Sequence, residues 1–136
     1  SRTSGRPHRI LVIDDNPADV SLIEEILRLD GYEVLKASGG VEGLKTARSE
    51  KPDLVILDLM MPDLDGFDVM RLLASDEATR ELPVILFTAK DLTEIDRANL
   101  GENIHEIFGK AQLDRDSLRT KIADLLGHGK SKEANR

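Results

Sequence analysis

Short aliphatic runs and amphipathic stretches alternate along this chain. Ile10–Ile13, Val34–Leu35, Leu54–Leu57, Val84–Phe87 and Ile104–Phe108 are aliphatic or β-branched runs, each about as long as a buried strand. Between them the apolar period lengthens. Asn16-Pro17 opens a helix, with Asn as cap and Pro at the first helical position; Val20, Ile23, Ile26 and Leu27 share one face, and Gly31 closes it. Gly39-Gly40 leads into a second helix carrying Val41, Leu44 and Ala47, which ends before Pro52. Phe67–Ser75 predicts a third, Thr93–Leu100 a polar fourth, and Asp116–Leu126 a fifth with Leu118, Ile122, Leu125 and Leu126 inward. Pro62–Gly66 is expected as a turn before the third helix.

Strand and helix thus alternate five times. Parallel strands need crossovers, and right-handed crossovers place helices on both faces of one sheet. The expected fold is α/β: a doubly wound, five-stranded parallel sheet of order 2-1-3-4-5, which is the flavodoxin-like arrangement. One domain is expected over residues 9–127, with a disordered leader at 1–8 and a disordered tail at 128–136.

Composition narrows the chemistry. The 136 residues include no cysteine, which excludes disulfides, iron–sulfur clusters, thiolate zinc sites and cysteine nucleophiles. Nineteen basic against 26 acidic residues give a net charge of −7, which argues against this domain wrapping nucleic acid. No apolar run is long enough to cross a bilayer, and Ser1–His8 has no apolar core of the kind a signal peptide needs. A first residue other than Met is what a processed or excised chain would show.

In an open α/β sheet, ligands bind at the carboxyl ends of the strands, beside the point where strand order reverses. Asp14-Asp15 follow the first run, Asp58 the third, Thr88 the fourth, and Lys110 lies just past the fifth. Alone, an aspartate there is a helix cap, Thr88 a loop residue and Lys110 a surface charge. Together they predict a convergent patch. Carboxylates about 5 Å apart repel by roughly 3 kcal/mol per pair at an effective dielectric near 20, so three of them call for a cation. An all-oxygen donor set without His or Cys favours Mg2+ or Mn2+. A carboxylate beside such an ion, with a lysine and a hydroxyl near, is suited to accept a phosphoryl group. Other motifs fail. Asp63–Gly66 does not fit a calcium loop, because Met61 and Leu72 occupy the first and twelfth positions of that frame. No glycine-rich nucleotide loop follows the first run, and His105 is expected to be structural.

The runs Ile10–Pro17, Pro52–Phe67 and Pro83–Ala89, with Lys110, resemble the receiver domain of two-component response regulators over roughly residues 9–126. That resemblance implies Asp58 as phosphoacceptor. It implies that Asp15, Asp58 and the backbone carbonyl of Met60 hold Mg2+, with Asp14 acting through water. Thr88 and Lys110 would bond the phosphoryl group. The implied donor is the phosphohistidine of a histidine kinase or histidine phosphotransfer protein, and the implied setting is cytoplasmic. Thr88–Arg97, followed by Lys110-Ala111, is similar to receivers fused to sensor histidine kinases. Where many receivers carry an aromatic three residues before the lysine, this chain has Ile107, and Ala111 replaces a common proline. The output face implied by the family carries Arg97, Asn99, His105, Arg119 and Lys121. Two other readings compete. An Mg2+-dependent phosphohydrolase would need a general acid two residues after Asp58, where Met60 stands. A receiver-fold interaction module with weak or no phosphorylation is the alternative function; an intact acidic trio speaks against it and Ile107 for it.

Overall fold

The computed structural model describes residues 5–127. The expected tail at 128–136 and the first four residues of the expected leader lie outside the described residues. Within them, the His8 carbonyl already accepts a hydrogen bond from Glu33 N at 3.0 Å, so sheet pairing begins just before Arg9.

The elements are β1 (Arg9–Ile13), α1 (Pro17–Leu29), β2 (Glu33–Ala37), α2 (Gly40–Glu50), β3 (Leu54–Leu57), α3 (Gly66–Ser75), β4 (Val84–Thr88), α4 (Glu94–Asn99), β5 (Ile104–Gly109) and α5 (Arg115–Leu126), with a 3-10 turn at Lys110–Gln112. All strands are parallel, in the order β2-β1-β3-β4-β5. This is the expected doubly wound architecture. The largest departure is β2, which extends on both sides of Val34–Leu35. Its Glu33 and Lys36 face solvent at the sheet edge, where a hydrophobic run is not required and polar residues hide the strand from a sequence pattern.

Strand alternation divides the core into two layers. Leu11, Ile13, Val55, Leu57, Val84 and Leu86 pack with α2 and α3 residues such as Leu44, Val69 and Leu73. Ile10, Val12, Leu54, Ile56, Ile85 and Phe87 pack with Ile23, Ile26 and Leu27 of α1 and Leu118 and Ile122 of α5. Successive side chains of a strand point to opposite faces, so the middle of a central strand buried on both sides is apolar, and the polar Arg9 and Thr88 stand at the ends of β1 and β4.

Helix starts follow local chemistry. Asn16 Oδ1 accepts from Ala18 N at 2.9 Å and Asp19 N at 3.3 Å, with Pro17 opening α1. Thr93 and Asp96 form a reciprocal capping box that bounds the six-residue α4, shorter than expected and without a buried residue. The start of α2 is different. Gly39 offers no side chain, and Asp63, from the loop after β3, accepts from Gly40 N at 3.1 Å and Val41 N at 3.2 Å. The expected Pro62–Gly66 turn therefore also caps a neighbouring helix. A Cβ on Gly40 would lie 2.5 Å from the Leu64 carbonyl oxygen, so only glycine fits against that loop.

These backbone hydrogen bonds hold the Asp63 carboxyl below the usual carboxylate range. A depressed folded value means that the stabilisation is complete above about pH 4 and fades as pH falls through the folded value. Asp63→Ala is expected to lower the melting temperature by about 3–5 °C at pH 7. The difference from the unaltered protein should shrink below pH 4, which thermal melts across pH 2.5–7 would check.

Candidate functional site

The site is built by strand pairing. In the β1–β3 ladder Ile13 pairs with Leu57, so the next residues, Asp14 and Asp58, leave adjacent strands at the same level. Their backbones continue the sheet: Asp14 N donates to the Ala37 carbonyl at 3.1 Å, and Asp58 N to the Ile13 carbonyl at 3.0 Å. Neighbouring strands lie roughly 4.8 Å apart, which sets the carboxylate spacing before any side chain is chosen. Asp14 and Asp58 are 3% and 4% exposed, whereas Asp15 is exposed at the rim. Oxygens of all three carboxylates lie within 4.8 Å of one another.

Two groups hold Asp58. Met60 N donates to its Oδ1 at 3.2 Å, and Lys110 Nζ donates to its Oδ2 at 3.0 Å. The Met60 side chain points outward and is 54% exposed, while Leu59 and Met61 on either side are buried. Gly66 packs under this loop; a Cβ there would approach Leu59 Cα to 2.5 Å and the Asp58 carbonyl oxygen to 2.7 Å. The loop bearing Asp58 is thus wedged against the start of α3.

Lys110 comes from two strands away. Gly109 pairs with Thr88 across β5 and β4, and from the following position the lysine side chain reaches over the Phe87 ring, 5.6 Å from its centroid. Its ammonium meets Asp14 Oδ2 at 2.8 Å and Asp19 Oδ2 at 2.7 Å as well as Asp58. Burial by itself would lower the lysine, but the hydrogen bonds it donates to these carboxylates outweigh it and hold Lys110 above the ordinary lysine value. It is charged throughout the physiological range. Asp14 goes the other way: burial pushes its carboxyl up and the Asp58 charge adds to this, against the opposing bonds from Lys110 and Asn16 N.

Four of the expected residues are therefore brought together, Asp14, Asp15, Asp58 and Lys110; Met60 touches Asp58 through its N–H, whereas the resemblance implies its carbonyl. Thr88 sits at the end of β4, 2% exposed, and its hydroxyl accepts from Lys90 N at 3.2 Å rather than reaching a carboxylate. Asp19 is the residue that sequence reading missed. The available signal was its spacing, four residues after Asp15 on the first turn of a capped helix, which returns it to the same end of the sheet. His105 is exposed on β5, and Ile107 packs into the layer with α2 and α3. On the expected output face, Arg119 is engaged within the domain by a two-pronged contact to Asp30 at 2.8 and 3.0 Å, and Lys121 approaches Glu106 at 3.8 Å.

The donor set fits a hard divalent cation. Three oxygen donors from Asp14, Asp15 and Asp58 suit Mg2+, which keeps several waters when bound by few carboxylates. One ammonium shared among several carboxylates leaves an excess of negative charge for an ion to relieve.

The chain matches the response regulator receiver domain family over residues 10–123. Protein PilH of Pseudomonas aeruginosa is 40% identical over 116 residues, which covers 85% of this chain and 87% of PilH. Response regulator PleD of Caulobacter vibrioides is 48% identical over 83 residues, 61% of this chain but 18% of PleD, so the chain spans only a small part of that relative. Among solved structures, TrrA of Thermotoga maritima in complex with Mg(2+)-BeF has a TM-score of 0.76 and 34% identity, covering 87% of this chain and 98% of that one. The receiver domain of sensor histidine kinase PA1611 from Pseudomonas aeruginosa PAO1, with a magnesium ion coordinated in its active site cleft, has a TM-score of 0.79 and 28% identity over 90% of this chain and 99% of that one.

The carboxylate cluster generates two linked expectations. At Mg2+ ten times its dissociation constant the domain should gain about 1.4 kcal/mol, or roughly 3–5 °C in melting temperature. Without the ion, the raised Asp14 value means that the native state binds more protons than the unfolded chain as pH rises from about 4. Metal-free stability should fall across that window, and Asp14→Asn should raise the neutral-pH melting temperature while weakening the Mg2+ response. Calorimetry with and without Mg2+ tests both; a variant no more stable than the parent at pH 7 would count against the repulsion argument.

Proposed function

Because this chain belongs to the response regulator receiver domain family of two-component signalling, we propose that it is a phosphorylation switch in which Asp58 takes a phosphoryl group from a phosphohistidine. The donor is a histidine kinase or a histidine phosphotransfer protein. The observation that carries the proposal is the state of Asp58: nearly buried, beside a second buried carboxylate, yet held by one backbone N–H and one ammonium.

The residues divide the work. An Asp58 carboxylate oxygen attacks phosphorus as the N–P bond of the donor breaks, and the imidazole leaves with the bond's electron pair and takes up a proton. Lys110 stabilises charge on the transferring oxygens, and the Thr88 hydroxyl turns from Lys90 N to bond one of them. Asp15, Asp58 and the Met60 carbonyl would hold Mg2+, with Asp14 acting through water, and the ion would neutralise charge on the phosphoryl oxygens. Met60, at the place where a phosphohydrolase would carry its general acid, leaves the domain without a catalytic cycle on phosphate esters; phosphorylation and its loss are self-catalysed. A cytoplasmic setting follows from the phosphohistidine donor. No described helix is long and apolar enough to cross a membrane.

The similarity of Thr88–Arg97 to kinase-fused receivers extends the proposal to a hybrid sensor kinase as the parent protein. A kinase core encoded upstream of Ser1 is the expected finding in the parent reading frame, and a start codon in its place would remove this extension. The second reading, an interaction module without phosphorylation, rests on Ile107 where the family commonly has an aromatic.

Acetyl phosphate with Mg2+ is expected to add one phosphoryl group, seen by intact mass and located at Asp58, while Asp58→Asn takes none. Steady-state turnover of a phosphate ester should be undetectable. Equal labelling of parent and Asp58→Asn would reject Asp58 as acceptor, and no labelling of either would favour the interaction module.

A further inference from the structure

The Asp19 contact is the shortest of the three that Lys110 makes, at 2.7 Å against 2.8 Å for Asp14 and 3.0 Å for Asp58. An ammonium carries three N–H donors. In this state its contacts are a hydrogen bond to Asp58 and ion pairs to Asp14 and Asp19, so a phosphoryl oxygen gains Lys110 only in competition with these carboxylates. The three are not equivalent. Asp14 and Asp58 belong to the cluster that suits a cation, and Asp19 does not. A cation drawn into that cluster competes for their oxygens and leaves Asp19 as the independent anchor. Asp19 is also rigidly presented: Pro17 and the Asn16 cap fix the first turn of α1, and Asp19's own amide is one of the capped groups.

Resting on the phosphoacceptor reading above, we propose that Asp19 is a positioning residue that restrains Lys110 in the unphosphorylated domain and competes with the phosphoryl group for it. Asp19 touches neither the phosphorus nor the cation. It acts by occupying one donor of Lys110 and offsetting part of its charge, which raises the phosphodonor level at which the site fills. The restraint is moderate because the Asp19 side chain is 24% exposed and partly screened by solvent.

Beryllofluoride, titrated with Mg2+ and followed by amide NMR, supplies the test. Asp19→Asn is expected to lower the half-saturating beryllofluoride concentration roughly 3- to 10-fold, and Asp19→Ala at least as much. The half-saturating Mg2+ concentration should change by less than about threefold, since Asp19 is not a ligand. Glu42→Gln is the charge control. It removes one negative charge from the groove that Asp14 and Asp15 also line, and its partners are the Ser38 backbone and hydroxyl rather than Lys110. This control should shift beryllofluoride binding less than about twofold. In metal-free protein, the Lys110 ε-methylene resonance should move in Asp19→Asn and stay in Glu42→Gln. Unchanged or weaker beryllofluoride binding in Asp19→Asn overturns the inference, as does an equal gain in Glu42→Gln. If the unaltered protein takes up no beryllofluoride, the phosphoacceptor reading falls and this inference with it.

Discussion

Two parallel strands that pair side by side, β1 and β3, end at the same level, and each is followed by an aspartate. Everything at the site descends from that placement. Backbone hydrogen bonds hold Asp14 and Asp58 at the sheet's spacing, so the two carboxylates cannot separate to relieve their repulsion. Burial makes the repulsion worse by removing the water that would screen it. Lys110 is the domain's own partial answer. A single ammonium cannot neutralise the cluster, and the remaining excess makes the site receptive to a divalent cation.

The loops around the strand ends supply rigidity. Gly66 lets the Asp58 loop pack directly on the start of α3, and Gly40 lets the next stretch of that loop pack on the start of α2. Asp63 ties that stretch to α2 by two backbone hydrogen bonds. On the far side, Arg48 of α2 and Asp76 after α3 form an ion pair at 2.5 Å, so the two helices are joined at both ends. The Asp58 carboxylate therefore projects from a frame fixed on three sides, which is what positioning at the scale of a reacting bond requires.

The other side is looser. No residue of α4 is buried, and Ile95 on it is 74% exposed. Thr88 and Lys110 both sit where β4 and β5 feed into this half, and β4 pairs with β5 through a register shift near Val84 and Ile85. Elements with few buried contacts sit at the low end of local stability, and switching segments are drawn from there. The contrast between a wedged Asp58 loop and a lightly anchored α4 follows from which glycines and caps the chain supplies at each strand end.

Much of this was legible in one dimension. The two-layer core follows from apolar runs at β1, β3 and β4, because the middle of a strand buried on both faces is apolar. The parallel sheet follows from the βα alternation, and the convergence of Asp14, Asp15, Asp58 and Lys110 from reading only the residues after each strand in the order 2-1-3-4-5. Sequence pattern falls short at β2, whose edge position lets Glu33 and Lys36 interrupt the run, and at Asp63, whose capping partners lie 23 and 22 residues away. Asp19 is the clearest case. Its type, spacing and helix could be read from the chain, but its contact with Lys110 spans 91 positions and arises only when the sheet brings α1 beside the end of β5. Local chemistry determined most of the strands and helices and the caps of α1, α3, α4 and α5, because those choices are made among neighbours in the chain. Tertiary structure alone decided which charges share an ammonium, because that depends on distances that exist only after the sheet has closed.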